Sequence, residues 1–488
     1  MPINHARSES VTEGLRWRGM LLGLVGFVTL LRLVALAFNR TDIFVDESQY
    51  WLWGQNLDFG YYSKPPLIAW LIRGVTELAA SDAPFWLRMP GAVLHGLTAL
   101  ILAALGARLF GARAGFWVGA SYVTAPFTTV GSVLISTDTV MAPAYAAALY
   151  FYFRAAEGGR SGYAALAGVA VGLAFLAKYA AIYFLLGAAL VALFAPAYRI
   201  GWRQWAALLA AFAVVIAPNV MWNLSHDLTT VSHTVDNVGW LRGGGAGAVL
   251  HPDKLASFFF NQFLVFGPVL FGALLMAALR PGQARVFVFF ALPVLVIVCV
   301  QALMSKAYAN WAVATYFAGT LLAVTYLLAR APKLLPLSLM INTGLAVLLP
   351  VLAALAPVPE WQGKPLLSRY LGRADLSHQI IAAARSNGAG AVFAADRDIL
   401  ADLFYSGRDA GLRFYAPKPA GRAHNYYEQL YAMPAKLDVP VLHVLLTAPV
   451  CAGAAVDPVA RFETAGGEYA GRDVAGYLLP EGCGDAAQ

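Results

Sequence analysis

Long apolar runs separated by short polar stretches dominate this chain. A helix that crosses a bilayer needs roughly 20 mostly apolar residues. About eleven runs meet that requirement, near 19–38, 88–107, 115–135, 138–153, 163–180, 181–198, 205–222, 257–279, 284–304, 310–329 and 334–356. They predict an α-helical polytopic membrane protein. From about Pro357 the pattern changes. Pro357, Pro359, Gly363 and Lys364 read as a linker, 379–385 as a short helix, and Ala391–Ala395 and Val439–Leu446 as short buried strands. The expected organisation is a transmembrane module over 1–356 and a small α/β domain over 357–488.

Composition supports that reading. Hydrophobic residues make up 59% of the chain and charged residues only 12%, where a soluble domain carries about 25% charge. A formal net charge of +7 would admit a nucleic-acid partner, but no basic stripe or nucleic-acid motif is present, so none is expected. The basic residues instead set orientation. Arg7, Arg16 and Arg18 precede the first run, and every second loop then carries a basic pair: Arg108 and Arg113, Arg154 and Arg160, Arg199 and Arg203, Arg280 and Arg285, Arg330 and Lys333. That side is assigned to the cytoplasm. Segment 39–87, the turn near Asp138, the region of Lys178, the loops 223–256 and 305–309, and the C-terminal domain are then extracytoplasmic. Ala35-Leu36-Ala37 resembles a signal-peptide cleavage site, but the apolar run is long and contains Arg32, which favours an uncleaved helix. Of the three cysteines, Cys299 lies in an apolar run, while Cys451 and Cys483 fall in the C-terminal segment. An oxidising compartment would permit those two to pair; the sequence leaves the pairing open.

The densest chemistry lies in 42–73, DIFVDESQYWLWGQNLDFGYYSKPPLIAWLIR. Asp42, Asp46 and Glu47 are followed by aromatics and by Lys64-Pro65-Pro66. One reading is an interfacial amphipathic segment, since Trp and Tyr favour the headgroup zone. Another is catalytic: a carboxylate can take a proton from an attacking hydroxyl, and a lysine can neutralise a departing phosphate. Ser136-Thr137-Asp138-Thr139 reads either as a helix N-cap or as a second carboxylate site, and both can hold. Lys178 and Tyr179 interrupt an apolar run, where a lysine can also snorkel to the headgroups. Trp222-Asn223 ends another run, and Ser305-Lys306-Ala307-Tyr308-Ala309-Asn310-Trp311 again combines a lysine, aromatics and an amide. Arg32, inside the first run, is expected to pair structurally. Gly243-Gly244-Gly245 reads as a flexible linker or lid, and no nucleotide fingerprint is present.

Asp46-Glu47 with its Tyr-Trp pair, Tyr61-Tyr62-Ser63-Lys64-Pro65-Pro66-Leu67, Ser136-Thr137-Asp138, Leu176-Ala177-Lys178-Tyr179 and Trp222-Asn223 occur in that order. Together they resemble the bacterial branch of glycosyltransferase family 39, of GT-C architecture, which includes protein O-mannosyltransferases and the aminoarabinose transferase of lipid A. The resemblance covers roughly 20–330. It implies an inverting enzyme that moves a sugar from a polyprenyl-phosphate donor to an extracytoplasmic lipid, glycan or protein acceptor within the bilayer. It also implies catalytic roles for Asp46, Glu47 and Asp138, a donor-phosphate contact at Lys64, and a substrate cavity that includes Tyr61, Tyr62, Trp222 and Asn223. Lys178 and Lys306 are further candidates for phosphate contacts. Relatives that transfer aminoarabinose carry a metal-linked glutamate where this chain has Ser63. No metal ligand is assigned here, and dependence on a divalent metal stays open. A transporter or lipid flippase is the alternative; it should show paired repeats and ionisable residues at the membrane midplane. A non-catalytic scaffold is a third possibility.

Overall fold

The structure, a computed structural model, describes residues 11–238, 250–451, 454–464, 466–479 and 483. The Gly243–Gly245 stretch lies outside them. The chain forms two compact units, one of Met1–Ala37, Lys64–Ile68 and Arg88–Pro350, the other of Phe38–Ser63, Ala69–Leu87 and Val351–Gln488. This partition differs from the consecutive division read from the sequence. The segment after the first helix is tied by hydrogen bonds to the C-terminal residues: Asp42 donates its N–H to the Tyr370 carbonyl at 2.9 Å, and its Oδ2 accepts from the Arg373 N–H at 2.8 Å.

The first unit is helical. All eleven apolar stretches fold as helix, several in two pieces. Among the described residues, Thr12–Ala37, Pro84–Phe110, Trp202–Ser225, Gly282–Met304 and Leu334–Leu355 are long and apolar enough to cross a bilayer alone. Their large apolar side chains remain exposed, with Phe27 at 65%, Val214 at 74% and Met221 at 69%, as lipid-facing surfaces require. The stretch read as one span at 257–279 is instead Pro252–Phe266 and Pro268–Leu279, bent by 115°. Gly267 adopts φ +96° and Pro268 offers no N–H to continue the ladder, so the helix breaks there. The stretch 115–135 likewise divides into Ala112–Thr124 and Pro126–Val133, because the residue before a proline is pushed to extended backbone; Ala125 has ψ 141°.

Helix Ser161–Ala177 packs between Thr137–Gly158 and Trp202–Ser225. A Cβ at Gly168 would lie 2.1 Å from the Leu208 carbonyl oxygen, so glycine permits the close approach. Arg32 is buried and donates to the Val123 carbonyl at 2.7 Å, Thr128 Oγ1 at 2.9 Å and Thr129 Oγ1 at 3.1 Å. This is the internal pairing that an intramembrane arginine needs.

The second unit contains helix Val45–Gln55 and a five-stranded sheet. The strand order is Arg413–Tyr415, Ala391–Ala394, Val441–Leu445, Ala475–Leu478, Ala460–Arg461; the first three are mutually parallel and the last two join antiparallel. Ala391–Ala394 is buried throughout, as a central parallel strand covered on both faces should be. Helix Arg373–Ser386 precedes that strand and helix Arg397–Ser406 follows it. Asp396 caps the latter, accepting from the N–H groups of Asp398 at 2.7 Å and Ile399 at 3.1 Å. Cys451 and Cys483 form a disulfide with a Cα–Cα distance of 5.7 Å.

Candidate functional site

In the first unit, Ser136 ends an extended stretch and caps helix Thr137–Gly158, its Oγ accepting from the Thr139 N–H at 3.3 Å. Because the serine does the capping, Asp138 in the first turn is available for a tertiary partner. Helix Ser161–Ala177 stops at Lys178, whose backbone is extended (φ −156°) before a short 3₁₀ turn. That break brings Lys178 to Asp138. Its Nζ donates to both carboxylate oxygens, at 2.7 and 2.8 Å. Asn310 Nδ2 adds a third bond to Oδ2 at 3.1 Å. The pair is largely shielded, with side-chain exposures of 16% for Lys178 and 11% for Asp138. Beside Lys178 in sequence, the Tyr179 hydroxyl donates to Asn219 Oδ1 at 3.0 Å and accepts from Asn223 Nδ2 at 3.2 Å. Asn223 is therefore a buried link in a polar chain. Trp222 instead stacks on His226 at 4.2 Å. Lys306 is exposed; its Nζ lies 5.9 Å from the Tyr308 ring centre, and it makes no ion pair among the described residues. Lys64 is half-buried.

In the second unit, Asp46 and Glu47 occupy the first turn of Val45–Gln55, where a helix N-terminus favours negative charge. Their surroundings differ. Glu47 is buried and accepts from the Phe44 N–H at 3.0 Å, the back-bond of a capping box. Asp46 is half exposed and pairs with Arg397, whose Nη2 lies 2.8 Å from Oδ1. Gln49, one turn further on, accepts from Arg397 Nη2 at 3.0 Å and Nε at 3.3 Å. Burial works against the arginine's charge, but the Asp46 carboxylate, by its charge and its hydrogen bond, more than offsets this and holds the guanidinium above its ordinary pKa.

The two candidate tyrosines, Tyr61 and Tyr62, are held by backbone carbonyls. Tyr61 stacks on Trp53 at 4.8 Å and donates to the Trp53 carbonyl at 2.9 Å. Burial pushes its phenol up to about 12, so it stays a neutral donor. Tyr62 donates to the Ala423 carbonyl at 2.9 Å. Both are buried anchors of the 38–63 segment. Among the described residues no three His, Cys, Asp or Glu side chains converge as metal ligands would.

Residues 63–222 match the family described as dolichyl-phosphate-mannose-protein mannosyltransferase. Over 476 residues, 96% of this chain and 99% of the relative, the sequence is 42% identical to lipid A galacturonosyltransferase RgtD of Rhizobium johnstonii. The chain belongs to the GT-C membrane glycosyltransferases. Its fold is similar to that of ArnT from Cupriavidus metallidurans. Against the apo structure the TM-score is 0.61 at 15% identity, and against the structure bound to undecaprenyl phosphate it is 0.65 at 16% identity; each alignment covers 94% of this chain and 98% of the other. The glycosyltransferase expectation from the ordered motifs therefore holds, as does the helical GT-C architecture with a small C-terminal sheet. The transporter and scaffold alternatives are set aside.

The sequence reading names Asn310 only as the amide of the 305–311 segment and does not single out Arg397 or Gln49. Arg397 and Gln49 frame Asp46, and Asn310 completes the Asp138 cluster. Arg397 had a legible signal. Asp396 follows the buried strand Ala391–Ala394 after one intervening residue, and Ile399, Leu400 and Leu403 repeat at helical spacing, so a capped helix was readable there. Which carboxylate it would reach was not, because the partner lies 351 residues away.

Proposed function

We propose that the chain transfers galacturonic acid from a polyprenyl-phosphate carrier to lipid A, on the extracytoplasmic side of the inner membrane. The carrying observation is 42% identity to a lipid A galacturonosyltransferase over 96% of this chain. The likeness to a fold solved with undecaprenyl phosphate supports a polyprenyl donor. The Cys451–Cys483 disulfide supports an oxidising compartment for the C-terminal domain, in agreement with the basic loops assigned to the cytoplasm.

In this reading an acceptor hydroxyl oxygen attacks the anomeric carbon while the bond from that carbon to the phosphate oxygen breaks. The sugar inverts and polyprenyl phosphate departs with the bonding electrons. Asp46, solvent-accessible and bound to a single cation, takes the hydroxyl proton. Glu47, engaged in capping its own helix, is assigned to holding Asp46 in place. Lys64 supplies positive charge to the leaving phosphate. Lys178 is already neutralised by Asp138, so the pair is assigned to fixing the polar chain through Tyr179 and Asn223. Lys306 is exposed and suited to meeting an anionic headgroup.

The test is reconstituted full-length protein given labelled polyprenyl-phosphate galacturonate and lipid A. Label should move to lipid A, and Asp46→Asn should abolish the movement. Transfer from a different sugar donor, but none from this one, would refute the sugar assignment. Labelling of introduced C-terminal cysteines from the cytoplasmic side alone would refute the orientation.

A further inference from the structure

Arg397 is more than a counter-ion to Asp46. A guanidinium has five N–H donors in a planar fork. In Arg397, Nε and Nη2 are occupied by Gln49 and Asp46. Nη1 has no hydrogen-bond partner among the described residues, and the side chain is 37% exposed. Gln49 and Asp46 thus engage the Nε hydrogen and both Nη2 hydrogens, and the two Nη1 N–H groups stay open. Arg397 therefore keeps free, partly exposed donors while it is bound to the proposed base.

We propose that Arg397 recognises the carboxylate of the sugar being transferred, so that this residue sets the enzyme's preference for a uronic acid over a neutral hexose. The inference rests on the galacturonosyl reading above. Arginine suits the task because it is always charged and its Nη1 still offers two N–H donors for a charge-assisted hydrogen bond. Two carboxylates around one guanidinium repel each other when the donor first binds. Proton uptake by Asp46 during transfer removes that repulsion, so the contact strengthens as the reaction proceeds. Holding the sugar through its carboxylate also orients the ring relative to Asp46.

The experiment measures binding of two unreactive polyprenyl phosphonate analogues, galacturonosyl and galactosyl, to purified full-length wild-type, Arg397→Gln and Arg397→Lys proteins. The wild type should prefer the galacturonosyl analogue. Arg397→Gln should weaken that analogue by roughly 10- to 100-fold, the range for a hydrogen bond to a charged group, and change the galactosyl analogue by less than about threefold. Arg397→Lys keeps the charge without the fork and should fall between, which also provides a readout if the glutamine variant does not fold. Equal weakening of both analogues would overturn the proposal, because Arg397 would then act only by positioning Asp46. Unchanged binding of both, with a raised KM for lipid A, would overturn it in favour of an anionic group on the acceptor. A wild-type protein that transfers no galacturonate would refute the donor reading itself, whereas normal galacturonate transfer by Arg397→Gln would refute only the role of the arginine.

Discussion

Asp138 and Asp46 each occupy the first turn of a helix and each meet a cation, yet their surroundings leave them fit for different work. Asp138 is shielded and receives three hydrogen bonds, two from Lys178 and one from Asn310. Both of its oxygens are engaged by Lys178. Asp46 is 51% exposed and receives one bond from Arg397. The rest of its carboxylate is open to solvent. In the proposed reading the closed ion pair serves as scaffold and the open one as reagent, although both share the sequence signature of an acid at the mouth of a helix.

The largest effect should come from the open pair. Asp46→Asn removes the proposed base and should lower transfer by about 10²- to 10⁴-fold. Stability should change by less than about 1 kcal/mol, because an exposed pair contributes little. Thermal unfolding of the same preparation used for the transfer assay checks both halves. Loss of folding along with activity would place Asp46 among the structural residues and end the contrast.

The closed pair should respond in the opposite way. Lys178→Ala leaves a shielded carboxylate without its cation and should destabilise the protein by about 3–5 kcal/mol. The double variant Lys178→Met with Asp138→Leu should recover most of that loss, since an apolar pair of similar volume needs no desolvation. Unfolding in lipid nanodiscs provides the double-mutant cycle. Should Lys178→Ala be stable but inactive, Lys178 belongs with the phosphate contacts after all.

The scaffolds that carry the two pairs differ as well. Arg397 stands in a small sheet domain closed by a disulfide across a sequence separation of 32 residues. Cys451→Ser should destabilise that domain by about 3 kcal/mol, through the loop entropy returned to the unfolded chain. Hydrogen exchange on the full-length protein should show faster opening over 357–488 and unchanged protection around Asp138. Faster exchange around Asp138 would mean that the closed pair depends on the sheet domain.

How much of this was readable follows from distance along the chain. The helices were legible because apolar length is a local signal, and so were the carboxylates and lysines, because residue type and order carry them. The breaks at Gly267-Pro268 and Ala125-Pro126 were readable in principle from the prolines, but apolar continuity across them outweighed the single missing N–H. The pairing of Lys178 with Asp138 was not legible: nothing local says that a lysine ending one helix turns toward an acid opening another. Glu47 looked equivalent to Asp46 until its bond to the Phe44 N–H separated them. The partition of 38–63 with the C-terminal domain was hidden for the same reason, since Asp42 reaches Arg373 across 331 residues.

The smallest effects lie in the two amides, one in each cluster, and they give the finest test. Asn310→Ala removes one of three bonds to Asp138. It should lower stability by about 1 kcal/mol and slow transfer little, because Lys178 still holds both oxygens. Gln49→Ala removes the acceptor that two Arg397 nitrogens share. The exposed pair contributes so little to folding that stability should fall by only about 0.5 kcal/mol. Transfer should drop by roughly 3- to 10-fold, because Arg397 and Asp46 lose the group that fixes their mutual geometry. The ratio of activity change to stability change is therefore expected to be large for Gln49 and small for Asn310. Steady-state transfer rates and unfolding midpoints for these two variants give that ratio. Its reversal would place the working chemistry at Asp138 and make the Asp46 pair a surface contact.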